Sequence, residues 1–137
     1  MNCVKHFREL DVYQRAMSLV LRIFNLTKDF PIEERYELTR QVRRSSRSVC
    51  ANLSEAWRKR RYQAAFVSKL NDAEAEAAET QVHVEIAYRH SYVTKEVFIE
   101  LDEACDKILA QIVKMIEHAD RWAVRPPERG NAGNSPR

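Results

Sequence analysis

LTRQVRRSSRSVCANLSEAWRKRR, residues 38–61, decides the fold. Wound at 100° per residue, it sets Leu38, Val42, Val49, Leu53 and Ala56 along one side and Arg40, Arg43, Arg44, Arg47 and Arg58 along the other. A helix with one apolar and one basic face needs neighbours to bury the first. The flanking sequence supplies three.

Upstream, a first helix is expected over about 7–29. Tyr13, Ala16, Val20, Ile23 and Thr27 recur at spacings of three and four, and Val12, Met17, Leu19, Phe24 and Leu26 widen the apolar arc. Phe30-Pro31 ends it, because the residue before proline is pushed out of the α region, while Pro31 can open the next helix. Glu33 and Glu34 then fall in a first turn, where the helix dipole favours negative charge. The second helix is expected over 32–59. An unbroken helix from 32 to 90 would be about 90 Å long, and the polar tract 58–63 interrupts the core face, so a turn is placed near Arg60 and Arg61.

Downstream, 62–90 carries Phe66, Leu70, Ala73, Ala77, Thr80, Val84 and Ala87 in strict 4-3 alternation, a bundle seam whose small central residues allow close helix approach. Thr94 is the expected N-cap of a fourth helix over 94–123, with Phe98, Leu101, Cys105, Ile108, Ile112, Met115, Ala119 and Trp122 at the same spacing. Arg125-Pro126-Pro127 stops it, and residues 125–137 read as a disordered tail. Long amphipathic helices joined by short links give an all-α protein, an antiparallel up-down-up-down four-helix bundle.

The composition agrees. At 137 residues the chain is one domain able to bury its own core, and its 45% hydrophobic and 31% charged residues describe a globular protein rich in surface charge. No apolar run reaches the ~20 residues of a membrane span and MNCVKHFREL has no signal-peptide core, so no membrane association and a cytoplasmic location are expected. Three cysteines without a CxxC pair argue against a disulfide framework. Both glycines, Gly130 and Gly133, lie in the last eight residues, so the body holds no phosphate-cradling Gly-rich loop and no nucleophile elbow.

FRELDVYQRA at 7–16, FP at 30–31, ERYELTRQVRRSSRSV at 34–49, ANLSEA at 51–56 and ETQV at 79–82 together make the chain resemble the small four-helix bundle proteins encoded in intervening sequences of bacterial large-subunit ribosomal RNA genes. The resemblance spans Phe7 to about Val93 and implies a homo-oligomer, with a ring of five subunits (a homopentamer) as the expected form. It implies no established reaction. A more distant group of similar fold assists reverse transcriptases as a nucleic-acid-binding accessory, an analogy of fold that does not by itself carry function. The family pattern has proline where this chain has Cys50 and glycine where it has Ala56, so an uninterrupted middle of the second helix is expected here.

The candidate functional surface is the arginine stripe. Arg40, Arg43, Arg44 and Arg47 stand at i, i+3, i+4 and i+7, and Arg58, Arg60 and Arg61 extend the basic tract. Such a stripe suits phosphates through a salt-sensitive attraction. It equally suits pairing with Asp72, Glu74, Glu76 and Glu79 of the third helix, or with another subunit, which would leave little positive field. Asn52 and Glu55, beside the core arc, are candidates for fixing helix or subunit register. Tyr62, next to the basic tract, is a minor candidate for base stacking.

Catalysis finds less support. None of His6, His83, His90 and His118 has an acid three residues before it, as the ligand pairs of di-iron bundles require, and Glu79 with His83 is the nearest approach to a metal pair. Ser45, Ser46, Ser48 and Cys50 lie mid-helix without a base or oxyanion hole beside them. No catalytic residue, metal or cofactor is therefore assigned. The expectation is a non-enzymatic, self-assembling interaction module that binds RNA or a nucleic-acid-processing protein, set against the alternative of a metal-dependent or hydrolytic enzyme with its site in the bundle core.

Overall fold

A computed structural model of the chain describes residues 3–124, and the tail expected over 125–137 lies outside the described residues. Its long helices are α1 (Asp11–Thr27), α2 (Leu38–Arg58), α3 (Gln63–Arg89) and α4 (Lys95–Glu117), followed by the single turn α5 (Ala119–Trp122). Each long helix packs on its neighbours in sequence, and α1 closes the ring against α4, giving a four-helix bundle with no strand among the described residues. The α2–α3 contact is the most extensive.

That contact follows from residue size. Ala73 and Ala77 on α3 are fully buried, and between the two backbones Ser45 and Thr80 share a hydrogen bond of 2.8 Å with neither side chain exposed. Each hydroxyl also lies within hydrogen-bond distance of a carbonyl one turn earlier in its own helix, Val42 for Ser45 and Glu76 for Thr80, so the buried oxygens are satisfied. Around this seam Val49, Leu53, Phe66, Leu70, Cys105, Ile108 and Ile112 make the dry centre. Helix α2 passes without a break through Cys50 and Ala56, as the missing proline and glycine lead one to expect.

The helix ends differ from the periodicity in ways the local chemistry explains. Residues Phe7–Glu9 form a 3₁₀ turn, and extended backbone at Leu10 (φ −65°, ψ 128°) carries its buried side chain into the core before α1 starts at Asp11. Similarly, Ile32–Glu34 is a 3₁₀ turn, the chain bends at Glu37, and α2 begins at Leu38 rather than Ile32. Arg35 and Tyr36 therefore sit on a turn leading into the helix. The α2–α3 turn occupies residues 59–62, where the polar tract predicts it. Thr94 caps α4 by accepting from the Val97 N–H at 3.2 Å. At the far end the helix breaks at His118, so the expected single helix over 94–123 is α4 plus α5.

With no glycine to spare, α3 ends on Ser91 in the left-handed region (φ 63°), and the Tyr92 N–H reaches back to the Ala87 carbonyl at 2.8 Å. This is the six-to-one bond of a Schellman cap, in which a residue with a Cβ costs about 1–2 kcal/mol relative to a right-handed conformation. Ser91→Gly should accordingly stabilise the fold by about 0.5–1 kcal/mol, seen as a raised midpoint in urea unfolding followed by circular dichroism. An unchanged or lowered midpoint would contradict the assignment of strain to this cap.

Candidate nucleic-acid interface

Helix α2 exposes its basic side over an open groove of about 600 Å³ lined by Arg35, Tyr36, Thr39, Arg40, Arg43, Arg44, Arg47, Ser48 and Ala51. Four of the seven sequence-predicted arginines thus meet in one depression, joined by Arg35 and Tyr36 from the turn before the helix. The four differ in how far they are already engaged.

Arg44 is taken up by α3. Its guanidinium lies 2.6 Å from Glu79 Oε1 and 3.3 Å from Glu76 Oε2. The hydrogen bond from Arg44 holds the Glu79 carboxyl below the usual carboxylate range, partial burial pushes Glu76 above it, and the Glu79 contact raises Arg44 further. Arg43 is half-buried and tied to α1, donating through Nε to Thr27 Oγ1 at 2.8 Å with its guanidinium 4.6 Å from the Phe24 ring centre. Arg40 and Arg47 are exposed, and among the described residues no ion pair or side-chain hydrogen bond engages either. Of the acids expected to neutralise the stripe, Asp72 instead lies 3.7 Å from Lys69, and only Glu76 and Glu79 reach an arginine.

Arg58, Arg60 and Arg61 stand apart from the groove, at the α2–α3 turn. Arg60 is a structural residue: its guanidinium carbon sits 3.4 Å from the Trp57 ring centre, and Nε donates to the Trp57 carbonyl at 2.8 Å. Its own carbonyl accepts from the Val124 N–H at 2.9 Å while Trp122 meets Trp57 edge-on, so the turn ties α2 to the end of α5. Burial lowers the Arg60 pKa, with the Arg58 charge adding to it, yet a guanidinium stays protonated. Arg58 and Arg61 are exposed, as is Tyr62, which immediately precedes α3 and lies outside the groove.

The two register candidates separate. Glu55 reaches Lys69 on α3 at 2.9 Å, whereas Asn52 donates to the Ser48 carbonyl of its own helix. Across the seam, the buried polar link is Ser45 with Thr80, residues whose small polar character in a core arc was the available signal.

Catalytic arrangements do not assemble around the groove. Ser45 and Ser46 are buried, each hydroxyl close to a carbonyl one turn back. Burial pushes the Cys50 thiol up to about 11 and that of Cys105 to about 12, far from a reactive thiolate. His83 approaches Glu79 Oε1 at 3.2 Å, the same oxygen that accepts from Arg44, so the carboxylate oxygen of this pair is already engaged by a cation. Among the described residues no three His, Cys, Asp or Glu side chains gather for a metal ion. None of the described helices is long and apolar enough to cross a membrane.

A urea titration separates the two kinds of arginine. Arg60→Ala should cost about 1–2 kcal/mol through the lost Trp57 contact and carbonyl bond, while Arg47→Ala should stay within about 0.5 kcal/mol of the parent. Equal costs would contradict this division, large ones by giving Arg47 a structural contact and small ones by removing that role from Arg60.

Comparison with known proteins places the geometry in a family. A family described as 23S rRNA-intervening sequence protein matches residues 8–114. A solved structure, that of a protein with unknown function from the S23 ribosomal protein family of Bacteroides thetaiotaomicron, is similar at 30% identity and a TM-score of 0.70, covering 77% of this chain and 95% of that one. A search of curated proteins finds no match.

Proposed function

The chain belongs to the 23S rRNA-intervening sequence protein family, and on that footing we propose that it acts without catalysis, as a self-assembling bundle that binds RNA through the arginine groove of α2. The observation carrying this reading is the pair Arg40 and Arg47, exposed in a groove with three further arginines and engaged by no acid among the described residues. An arginine side chain that neither packs nor pairs is available for phosphate, which its planar fork matches in two hydrogen bonds. A core enzyme, by contrast, needs inward ionisable groups. The buried polar side chains among the described residues, Thr27, Thr39, Ser45, Ser46 and Thr80, carry no charge, and the buried titratable groups Cys50 and Cys105 are thiols that burial holds in the neutral form.

Self-association is the second element of the proposal. Helices α1 and α4 have the broadest apolar arcs, but Tyr13, Met17, Val20, Val97, Phe98 and Ile116 pack against the core. Free surface of the right kind lies on α3, where Ala64, Ser68, Asn71, Ala75, Ala78, Val82 and Ile86 form an exposed uncharged row. Val82 is 56% exposed. A row of this composition lets another helix approach closely, which supports self-association; the number of subunits, five, rests on the family likeness alone. Sedimentation velocity at micromolar concentration should show an oligomer that Ala75→Arg dissociates; a monomeric parent protein would end this part of the proposal.

For RNA, fluorescence anisotropy should give an affinity whose logarithm falls linearly with the logarithm of salt concentration. Arg40→Glu combined with Arg47→Glu should abolish it, and Arg47→Ala alone should reduce the slope by about 0.7–0.9. No RNA binding at low salt would overturn the RNA reading and leave a protein as the partner of this face.

A further inference from the structure

The groove holds one feature that phosphate binding does not use. Tyr36 lines it with 70% of its surface exposed, and Ile32, 78% exposed, precedes it by one turn. Other tyrosines are accounted for: Tyr13 packs edge-on against Phe7, Tyr88 stacks on Phe98, and Tyr92 bonds to Glu34 beside Phe30. Tyr62 is equally exposed but stands outside the groove. Tyr36 is thus the groove's aromatic side chain, with the Arg35 guanidinium 5.9 Å from its ring centre and its hydroxyl in no side-chain hydrogen bond among the described residues.

The arrangement has a direction. Tyr36 stands at the end before α2 begins, and along the helix the groove runs from Arg40 to Arg43 and Arg44, then Arg47, about one helical turn of 5.4 Å per step. That step is within reach of successive phosphates on an extended strand. At the tyrosine end the neighbouring Glu33 and Glu37 are exposed carboxylates, which repel a phosphate but not an uncharged base. A flat π-face at one end and a row of guanidiniums behind it is the combination by which proteins hold single strands: the backbone tracks the charge and a base stacks on the ring. A duplex offers the same charges but keeps its base faces stacked internally, leaving Tyr36 without a partner.

Resting on the RNA-binding reading above, we infer that the arginine groove takes single-stranded RNA, with the backbone along Arg40, Arg43 and Arg47 and one base stacked on Tyr36. Arg44, held by Glu76 and Glu79, is the reserve contact of this row.

The test is anisotropy of the full-length chain with a short labelled RNA, as a single strand and annealed into a duplex. Tighter binding of the single strand is expected. Tyr36→Ala should weaken it about fivefold or more while leaving duplex binding unchanged, and Tyr36→Phe should retain parental affinity, since stacking needs the ring and not the hydroxyl. Equal affinity for the two forms, or a Tyr36→Ala variant that binds the single strand like the parent, overturns this inference while RNA binding stands. A parent protein that binds neither form overturns both.

Discussion

Helices α2 and α3 approach closely because Ala73 and Ala77 put almost nothing between the backbones, and the Ser45–Thr80 hydrogen bond fills the remaining space with a satisfied polar contact. Small side chains give up hydrophobic area but permit dense packing along the whole seam. A polar pair inside it has a second effect. Sliding one helix against the other would strand two buried hydroxyls from each other, so the register is set where leucine-rich packing would tolerate slippage.

Fixing α2 by its inner face determines what its outer face can do. Val42, Val49 and Leu53 point inward, and the 3.6-residue repeat then turns Arg40 and Arg47 to solvent with no freedom to rotate away. The same geometry spends other basic residues on the fold. Arg43 bridges to α1, Arg44 to α3, and Arg60 clamps the turn that joins α2 to α3 and to the chain after α5. One run of arginines thus divides by position into packing, pairing and exposed members.

The bundle was legible in the sequence because the apolar repeat of each helix is long and regular, and Phe30-Pro31 and Thr94 punctuate it. Helix starts were less legible. Leu10 and Leu38 fit the repeat of a longer helix, yet the backbone bends at Leu10 and at Glu37, and periodicity cannot register a bend that leaves the side chain in the core. Within the candidate site, the wheel identified Arg40, Arg43, Arg44 and Arg47 but missed Arg35 and Tyr36, which join the groove from a turn that no helical projection describes. Nor does the wheel separate Arg44 from Arg47: which acid of the next helix stands opposite depends on the crossing of α2 and α3, and so on Ala73, Ala77, Ser45 and Thr80. Arg60 looked like part of a basic tract because a stack on Trp57 three residues earlier depends on where the helix stops.

The clasp of Arg44 by Glu76 and Glu79 bears on the thermodynamics of any anion that enters the groove. A phosphate neutralised by an unpaired arginine sheds the cation condensed on it, and the release of that cation into bulk is an entropic gain. Arg40 and Arg47, with no acid engaging them among the described residues, offer that gain. Arg44 already faces two carboxylates fixed to the same chain. Engaging it would exchange one anion for another and leave Glu76 and Glu79 to draw cations back, so that little net release results. Neighbouring arginines on one helix face therefore offer an incoming anion two different kinds of contact, distinguishable by how many cations each sets free as well as by their strength.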